Sequence, residues 1–431
     1  MSALRPLFSD FVAAGRRRGT LIVQPRMGFG DQAKMRRGLT AVREAGLPAV
    51  GTVTLDSYTR VGDHDRAAMA VESGVDINGY PLVALGAARA RELFDGLHSP
   101  EFPVQVRHGS PLPGRIFAEM VAAGVEASEG GPVSYCLPYS RVPLRTATEA
   151  WSRATEFLAG ESAHCHLESF GGCMLGQLCP PGLLVALSVL ECVFFAEHGI
   201  RSVSASYAQQ THPGQDAEAL RALRRLCAEH LPGIDWHVVL YTFMGLYPES
   251  GFGARELTRE SVELAALTGT ERLIVKTTAE AHRIPTIEEN IEALRLAHEF
   301  AVAAPAPRPS TSDSEVYLQA RALIDTVRAL APTMAQALPL AFEHGLLDVP
   351  YCLHPDNRNL ARSVIGADGR LQWWDTGEMP LPPGIGGRRN RGALGAARLL
   401  KDLSYHRVRL DPPAAAGHPT KTERGECLAE R

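Results

Sequence analysis

The sequence predicts a (β/α)8 barrel, an α/β fold, on two observations. Eight short strand-like runs alternate with stretches of helical composition, and polar or charged residues gather at the C-terminal ends of the runs. A length of 431 residues then accommodates a barrel-sized core plus a smaller appendage. Alternation has the same local signature in a doubly wound open sheet, which stands as the competing architecture.

The first run, TLIVQP at 20–25, leads into Arg26, and AVGTVTLDSYT at 49–59 ends at Arg60. PVQV at 103–106 precedes Arg107-His108-Gly109, and GVEAS at 124–128 precedes Glu129-Gly130-Gly131. AHCHLE at 163–168, SVSASY at 202–207, HVVLYTFMG at 237–245 and RLIVK at 272–276 complete the set. Helical stretches such as 182–198, 214–231 and 256–268 separate them, and another at 287–303 completes a catalytic barrel over 1–303. APAPRPSTSDS at 304–314 reads as a Pro/Ser-rich linker. A helical and mixed extension follows at 315–410, with Trp373-Trp374 in its compact part, and 411–431 reads as a disordered tail.

With 45% hydrophobic residues, 21% charged residues and a formal net charge of −4, nothing draws the chain to nucleic acid or an anionic membrane. The N-terminal stretch lacks the apolar core of a signal peptide and no window approaches a membrane span, so a cytoplasmic location is expected. Eight cysteines with no C-x-x-C pair read as reduced thiols. No metal is expected at His164-Cys165-His166, because on a strand the two histidines share one face and Cys165 turns to the other.

Arg26, Arg60 and Arg107 at three strand ends would converge over a barrel mouth, where guanidinium forks suit a substrate with two carboxylates. Each alone is equally explained by an ion pair with a neighbouring Asp or Glu. EGGPVSYCLPY at 129–139 adds Glu129 for an ammonium group and Tyr135 and Tyr139 for a carboxylate or a proton. Lys276 and Glu280 suit a ribose or phosphate, or a plain i,i+4 ion pair. Gly28-Phe29-Gly30, with Asp56 as ribose acid, also fits a relaxed dinucleotide fingerprint, which makes a nicotinamide-dependent dehydrogenase one alternative.

From about residue 19 to 380 the chain resembles the large (epsilon) subunit of adenosylcobalamin-dependent glutamate mutase, also called methylaspartate mutase. The motifs are QPRMG, SYTR, NGYP, RHG, EGGPVSYCLPY, ESFGG with the later CPPG, and VKTTAEAHRIPT. The resemblance implies a radical carbon-skeleton rearrangement of L-glutamate to L-threo-3-methylaspartate. It makes Arg26, Arg60 and Arg107 the carboxylate clamp, completed by His108, Glu129, Tyr135 and Tyr139. Glu129 would hold the amino group and move its proton. Lys276 and Glu280 would bind the adenosyl ribose, and Gly28, Asn78, Pro138, Tyr247 and Ile284 would line the cobalamin face.

The same resemblance implies a separate small subunit that binds the cofactor through Asp-x-His-x-x-Gly, and a homodimer of this chain within a heterotetramer. The nearest approach to that motif here is Asp235-Trp236-His237, with Leu240 where glycine is required. Three departures stand out. The family's usual N-terminal extension is absent, Tyr247 replaces a phenylalanine, and Ala279 replaces a histidine. GIGGRRNRG at 384–392 has no counterpart. Other readings are the same chemistry on another amino dicarboxylate or a keto acid, and a non-catalytic barrel that binds a dicarboxylate.

Overall fold

The computed structural model describes residues 8–75, 77–174, 178–308, 312–384 and 394–411. The strands are β1 (Ile22–Pro25), β2 (Gly51–Thr54), β3 (Val104–Arg107), β4 (Ala127–Gly130), β5 (His166–Ser169), β6 (Ser202–Ala208), β7 (Asp235–Tyr241) and β8 (Arg272–Val275). They pair in parallel in the order β1-β8-β7-β6-β5-β4-β3-β2, each fed by a helical crossover. The two ends of that series meet: Val23 bridges Ala49, with Val23 N donating to the Pro48 carbonyl at 3.0 Å and Val50 N to the Val23 carbonyl at 3.1 Å. That narrow junction brings the sheet round into a barrel and removes the open doubly wound alternative.

Outward positions such as Val23, Val53, Val106, Leu167 and Val203 are fully buried, as expected where helices cover a parallel sheet. The inward positions are polar. Gln24, Gln105, Glu168, Ser204 and Arg272 are all fully buried inside the barrel, where branched aliphatics usually stand. The helix Phe8–Arg17 covers the N-terminal end, with the Phe8 ring stacked on His166 at 4.6 Å and the Arg272 guanidinium 5.1 Å from its centre.

The helix Pro181–Glu197 is buried on every face through Phe195, which explains its apolar composition all round. Its outer neighbours are the helices Pro213–His230 and Glu315–Arg328, the latter belonging to the extension. An antiparallel hairpin, β9 (Arg362–Ile365) with β10 (Leu371–Asp375), completes the extension. Trp373 Nε1 donates to Gln319 Oε1 at 3.2 Å, and Leu144 N donates to Asp356 Oδ2 at 2.6 Å. Leu323, Ile324, Phe342 and Trp373 share one core with the barrel.

Residues 309–311 of the expected linker, 385–392 of GIGGRRNRG and 412–431 of the expected tail lie outside the described residues. Asp411, placed at the head of that tail, is instead anchored: its carboxylate accepts from Glu249 N at 2.8 Å and Ser250 N at 3.0 Å. Among the described residues, no helix is long and apolar enough to cross a membrane.

One buried carboxyl makes the fold pH-sensitive. Burial pushes Asp216 up to about 7, against hydrogen bonds from Tyr207 Oη at 2.7 Å and Gln210 N at 3.0 Å. A folded-state value above the ordinary one means the native state favours the proton, so this stabilisation is present at low pH and lost as pH rises through about 7. Asp216→Asn should therefore lose less Tm than the parent between pH 5 and pH 8, as read by calorimetry; equal losses would contradict this account.

Candidate active site

Strand register assembles the site from residues far apart in sequence. Glu129 and Glu168 are register partners on β4 and β5, Arg107 ends β3 and Tyr241 ends β7. Arg107 Nε donates to Glu129 Oε2 at 2.7 Å, with both side chains nearly inaccessible. Tyr241 Oη donates to the same oxygen at 2.7 Å, and Tyr135 Oη bonds to Glu129 Oε1. Burial works against the charge on Glu129, but the Arg107 guanidinium and the hydrogen bonds from Arg107, Tyr135 and Tyr241 outweigh it and hold the carboxyl below its ordinary range.

Beneath this group lies a polar column that the strand pattern did not single out. Tyr241 Oη also lies within hydrogen-bond distance of Glu168 Oε1, so its single proton is shared between the two carboxyl groups, and Glu168 pairs with the fully buried Arg272. Arg272 bonds further to Gln24, to Gln105 at 3.3 Å and to Ser204 at 3.0 Å. Polar side chains recurring at inward strand positions were the available signal. His237, from the Asp235-Trp236-His237 triplet, lies within this column 3.3 Å from Arg272, and its ring stacks on His166 at 5.2 Å. His166, from the histidine pair first weighed as a metal site, has both ring nitrogens bonded, to Ser202 at 2.8 Å and Ser204 at 3.0 Å.

At the C-terminal face the chain leaves a cavity of about 300 Å³, lined among others by Arg26, Gly28, Arg60, Asn78, Glu280 and Ile284. Arg26 pairs with Glu280 at 3.3 Å, and Lys276 reaches the same Glu280 oxygen at 3.2 Å. Burial lowers the Lys276 pKa, and Arg26 lowers it further, against the attraction of Glu280. Lys276 Nζ also sits 4.7 Å from the centre of the Tyr247 ring. A neighbouring cavity of about 800 Å³ contains Pro138 and Tyr139, and Leu353 and His354 of the extension form its far wall.

The three arginines occupy different settings. Arg26 and Arg107 each hold a carboxylate, whereas Arg60 Nε is buried without a hydrogen-bond partner. Arg60 stands not at a strand end but on the short helix Ser57–Val61, with its guanidinium 5.7 Å from the centre of the Tyr139 ring. Tyr139 in turn packs edge-on against Tyr135 at 6.0 Å. His108 turns away from the mouth into an aromatic cluster, stacked on Trp151 at 5.8 Å, and its Nδ1 accepts from Ser110 N at 3.0 Å. Burial, assisted by Arg60 and opposed by Glu129, drives the imidazole down to about 3 and keeps it neutral.

The dinucleotide alternative fails on geometry. Asp56 is fully buried as the N-cap of the helix Ser57–Val61, accepting from Thr59 N at 2.9 Å. Asp31 caps the helix Gln32–Glu44 through Lys34 N, which puts a carboxylate where a pyrophosphate would bind. The glycines have a local cause: a Cβ on Gly28 would strike the Thr54 carbonyl, and one on Gly30 would stand 2.6 Å from the Ile77 carbonyl oxygen.

Comparison with known proteins agrees with the family resemblance. The glutamate mutase epsilon subunit of Escherichia coli O157:H7 is 28% identical, over 88% of this chain and 82% of that protein. The subunit of the same name from Desulfitobacterium hafniense is 30% identical, over 87% and 81%, and that of Halobacterium salinarum is 30% identical, over 87% and 82%. The family model described as methylaspartate mutase E chain (MutE) matches residues 5–396. With that match spanning the barrel and most of the extension, the chain belongs to the methylaspartate mutase E chain family.

Proposed function

We propose that this chain is the large catalytic subunit of an adenosylcobalamin-dependent glutamate mutase, an intramolecular transferase converting L-glutamate to L-threo-3-methylaspartate. The observation that carries the reading is Glu129, kept ionised inside the barrel by Arg107, Tyr135 and Tyr241, in a barrel whose C-terminal face presents Arg26 and Arg60 in a cavity. An amino dicarboxylate matches that charge pattern. Its ammonium group pairs with Glu129 while arginines take its two carboxylates, so both ends stay anchored through a rearrangement that separates them.

The residues also fit the cofactor. Glu280 and Lys276 offer an acceptor and a donor for the ribose diol beside a cavity that Gly28, Asn78 and Ile284 help to line. When bound, adenosylcobalamin supplies the radical that starts the reaction. The chain's own residues orient the substrate, exclude water and hold a proton acceptor at Glu129. His108 supports the floor from behind, and Tyr139 and Pro138 face the second cavity.

A separate cobalamin-binding subunit carrying Asp-x-His-x-x-Gly is the proposed partner, within a heterotetramer built on a homodimer of this chain. Exposed apolar side chains support its docking over the mouth. Val61, Leu112, Phe252 and Ile284 follow β2, β3, β7 and β8 and are 44% to 69% exposed, and Leu353 stands nearby on the extension. The test is an assay of the purified chain with adenosylcobalamin, with and without that subunit. Loss of glutamate, formation of 3-methylaspartate and a glutamate-dependent paramagnetic signal are expected only with it. Tight stoichiometric binding and turnover by the chain alone would sink the two-subunit reading, and no 3-methylaspartate from the complete mixture would sink the activity.

Glu280→Ala should weaken adenosylcobalamin binding to the assembled enzyme about ten- to a hundredfold, the worth of a hydrogen bond to a charged group. Methylcobalamin, which has no ribose on its upper face, should lose much less. Equilibrium dialysis with the two cobalamins reads the difference, and equal losses would assign Glu280 only to neutralising Arg26 and Lys276.

A further inference from the structure

The turn at 131–138 delivers Tyr135 and Tyr139, yet its first backbone donors have no carbonyl to bond. Val133 N and Ser134 N both point at Glu191 Oε1, at 3.2 Å and 2.8 Å. Ser134 Oγ and Ser169 Oγ both donate to Oε2 at 2.9 Å. One carboxylate thus receives four hydrogen bonds from two segments, the turn after β4 and the end of β5. Ser169 Oγ in turn accepts from Gly171 N at 3.0 Å, extending the hold to the ESFGG motif.

Glu191 lies in the middle of the helix Pro181–Glu197, is fully buried and is the one charged residue from Pro181 through Phe195. A lone acid in so apolar a run carries a desolvation cost that its partners must offset. Burial pushes this carboxyl up to about 7 in spite of all four donors. The glycine pair follows from the same contact. A Cβ on Gly131 would collide with the Glu191 carboxyl, and one on Gly130 would stand 2.6 Å from the rings of Trp151 and Tyr135. Both positions must be bare for the turn to close over Glu191 while the Tyr135 ring swings towards Glu129.

We propose that Glu191 is a positioning residue: from outside the barrel it clamps the turn at 131–138 so that Tyr135 meets Glu129 and Tyr139 meets Arg60. Glu191 lines neither mouth cavity, so it acts only through the two segments it holds, the turn and the end of β5. Its effect on turnover rests on the proposed mutase activity, whereas its effect on the turn does not.

The test uses the full chain, alone and with its cobalamin subunit, as Glu191→Ala, Glu191→Asp and Glu191→Gln. Three quantities are measured: amide hydrogen exchange across 131–138, the ¹³Cζ resonance of Tyr135 assigned with Tyr135→Phe, and KM and kcat for L-glutamate. Glu191→Ala should exchange at least about tenfold faster in the turn, because two amide donors lose their acceptor. Its Tyr135 resonance should move towards that of a free phenol, and KM should rise about tenfold with a smaller change in kcat. Glu191→Gln keeps an acceptor for both amides, and its NH2 can donate to the serine oxygens, so all three readouts should stay near the parent. If Glu191→Ala does not fold, Glu191→Asp, one methylene too short, decides by the same criteria. Unchanged exchange and an unmoved Tyr135 resonance in the folded variants would overturn the proposal. A parent enzyme that fails to turn over glutamate would overturn only the mutase reading, since exchange and resonance still decide the clamp.

Discussion

Arg107→Ala is expected to abolish most turnover and also to destabilise the fold. The strand-end position in the sequence suggests a side chain free of the core, but Arg107 is only 4% exposed and is paired to an equally buried Glu129. Removing one member of a buried pair leaves the other uncompensated and typically costs about 3–5 kcal/mol. Glu129 would then regain its proton more readily and could no longer counter an ammonium group. If Arg107 also clamps a substrate carboxylate, as the proposed function has it, losing that clamp is worth roughly 2–4 kcal/mol, or about thirty- to a thousandfold in kcat/KM.

Two controls separate these effects. The double variant Arg107→Met, Glu129→Gln removes both charges of this buried pair, leaving neither uncompensated, so it should recover stability without recovering activity. Arg60→Ala removes a guanidinium whose Nε bonds to nothing, so it should change unfolding by no more than about 0.5 kcal/mol while still cutting turnover. Urea unfolding and steady-state kinetics read all four proteins. Near-parental kinetics for both single variants would refute the clamp, and near-parental stability for Arg107→Ala would refute the buried pair.

The second large effect concerns Arg272, in the polar column inside the barrel. Its guanidinium is completely inaccessible and serves Gln24, Gln105, Glu168, Ser204 and His237 at once. Arg272→Ala would strand the Glu168 carboxylate and leave several side chains without a donor. The expected loss is at least about 3–5 kcal/mol, a large part of the roughly 5–15 kcal/mol by which a domain is stable. Arg272→Lys should fall between, because one compact ammonium cannot reach acceptors on five strands. Burial is the main reason His237 lies well below its ordinary range, and it persists once Arg272 is gone, so His237 will not readily take up a proton to replace the lost charge. Denaturant melts decide the point: a loss below about 1 kcal/mol for Arg272→Ala would mean the column is not a structural unit.

The sequence by itself determined what depends on neighbours along the chain. All eight strands lie within or beside the runs that alternation marks, because hydrophobic runs and helical stretches are local signals. The motifs around Arg107, Glu129 and Tyr135 were legible for the same reason, since Arg107 and Glu129 stand at the C-terminal ends of their strands and Tyr135 closely follows one. Only the tertiary structure decided what depends on register and closure. That β1 meets β2 through Val23 and Ala49, making a barrel of the sheet, rests on hydrogen bonds between edges that alternation cannot distinguish. That Arg107 is neutralised by Glu129, that Tyr241 joins Glu129 to Glu168, and that His108 turns behind the site all follow from which side of a strand each residue occupies when eight strands pair. Glu191 had a visible signal, one acid in an apolar helix, but its partners lie 58, 57 and 22 residues away in sequence. A buried charge announces that it must be satisfied; only packing names the groups that satisfy it.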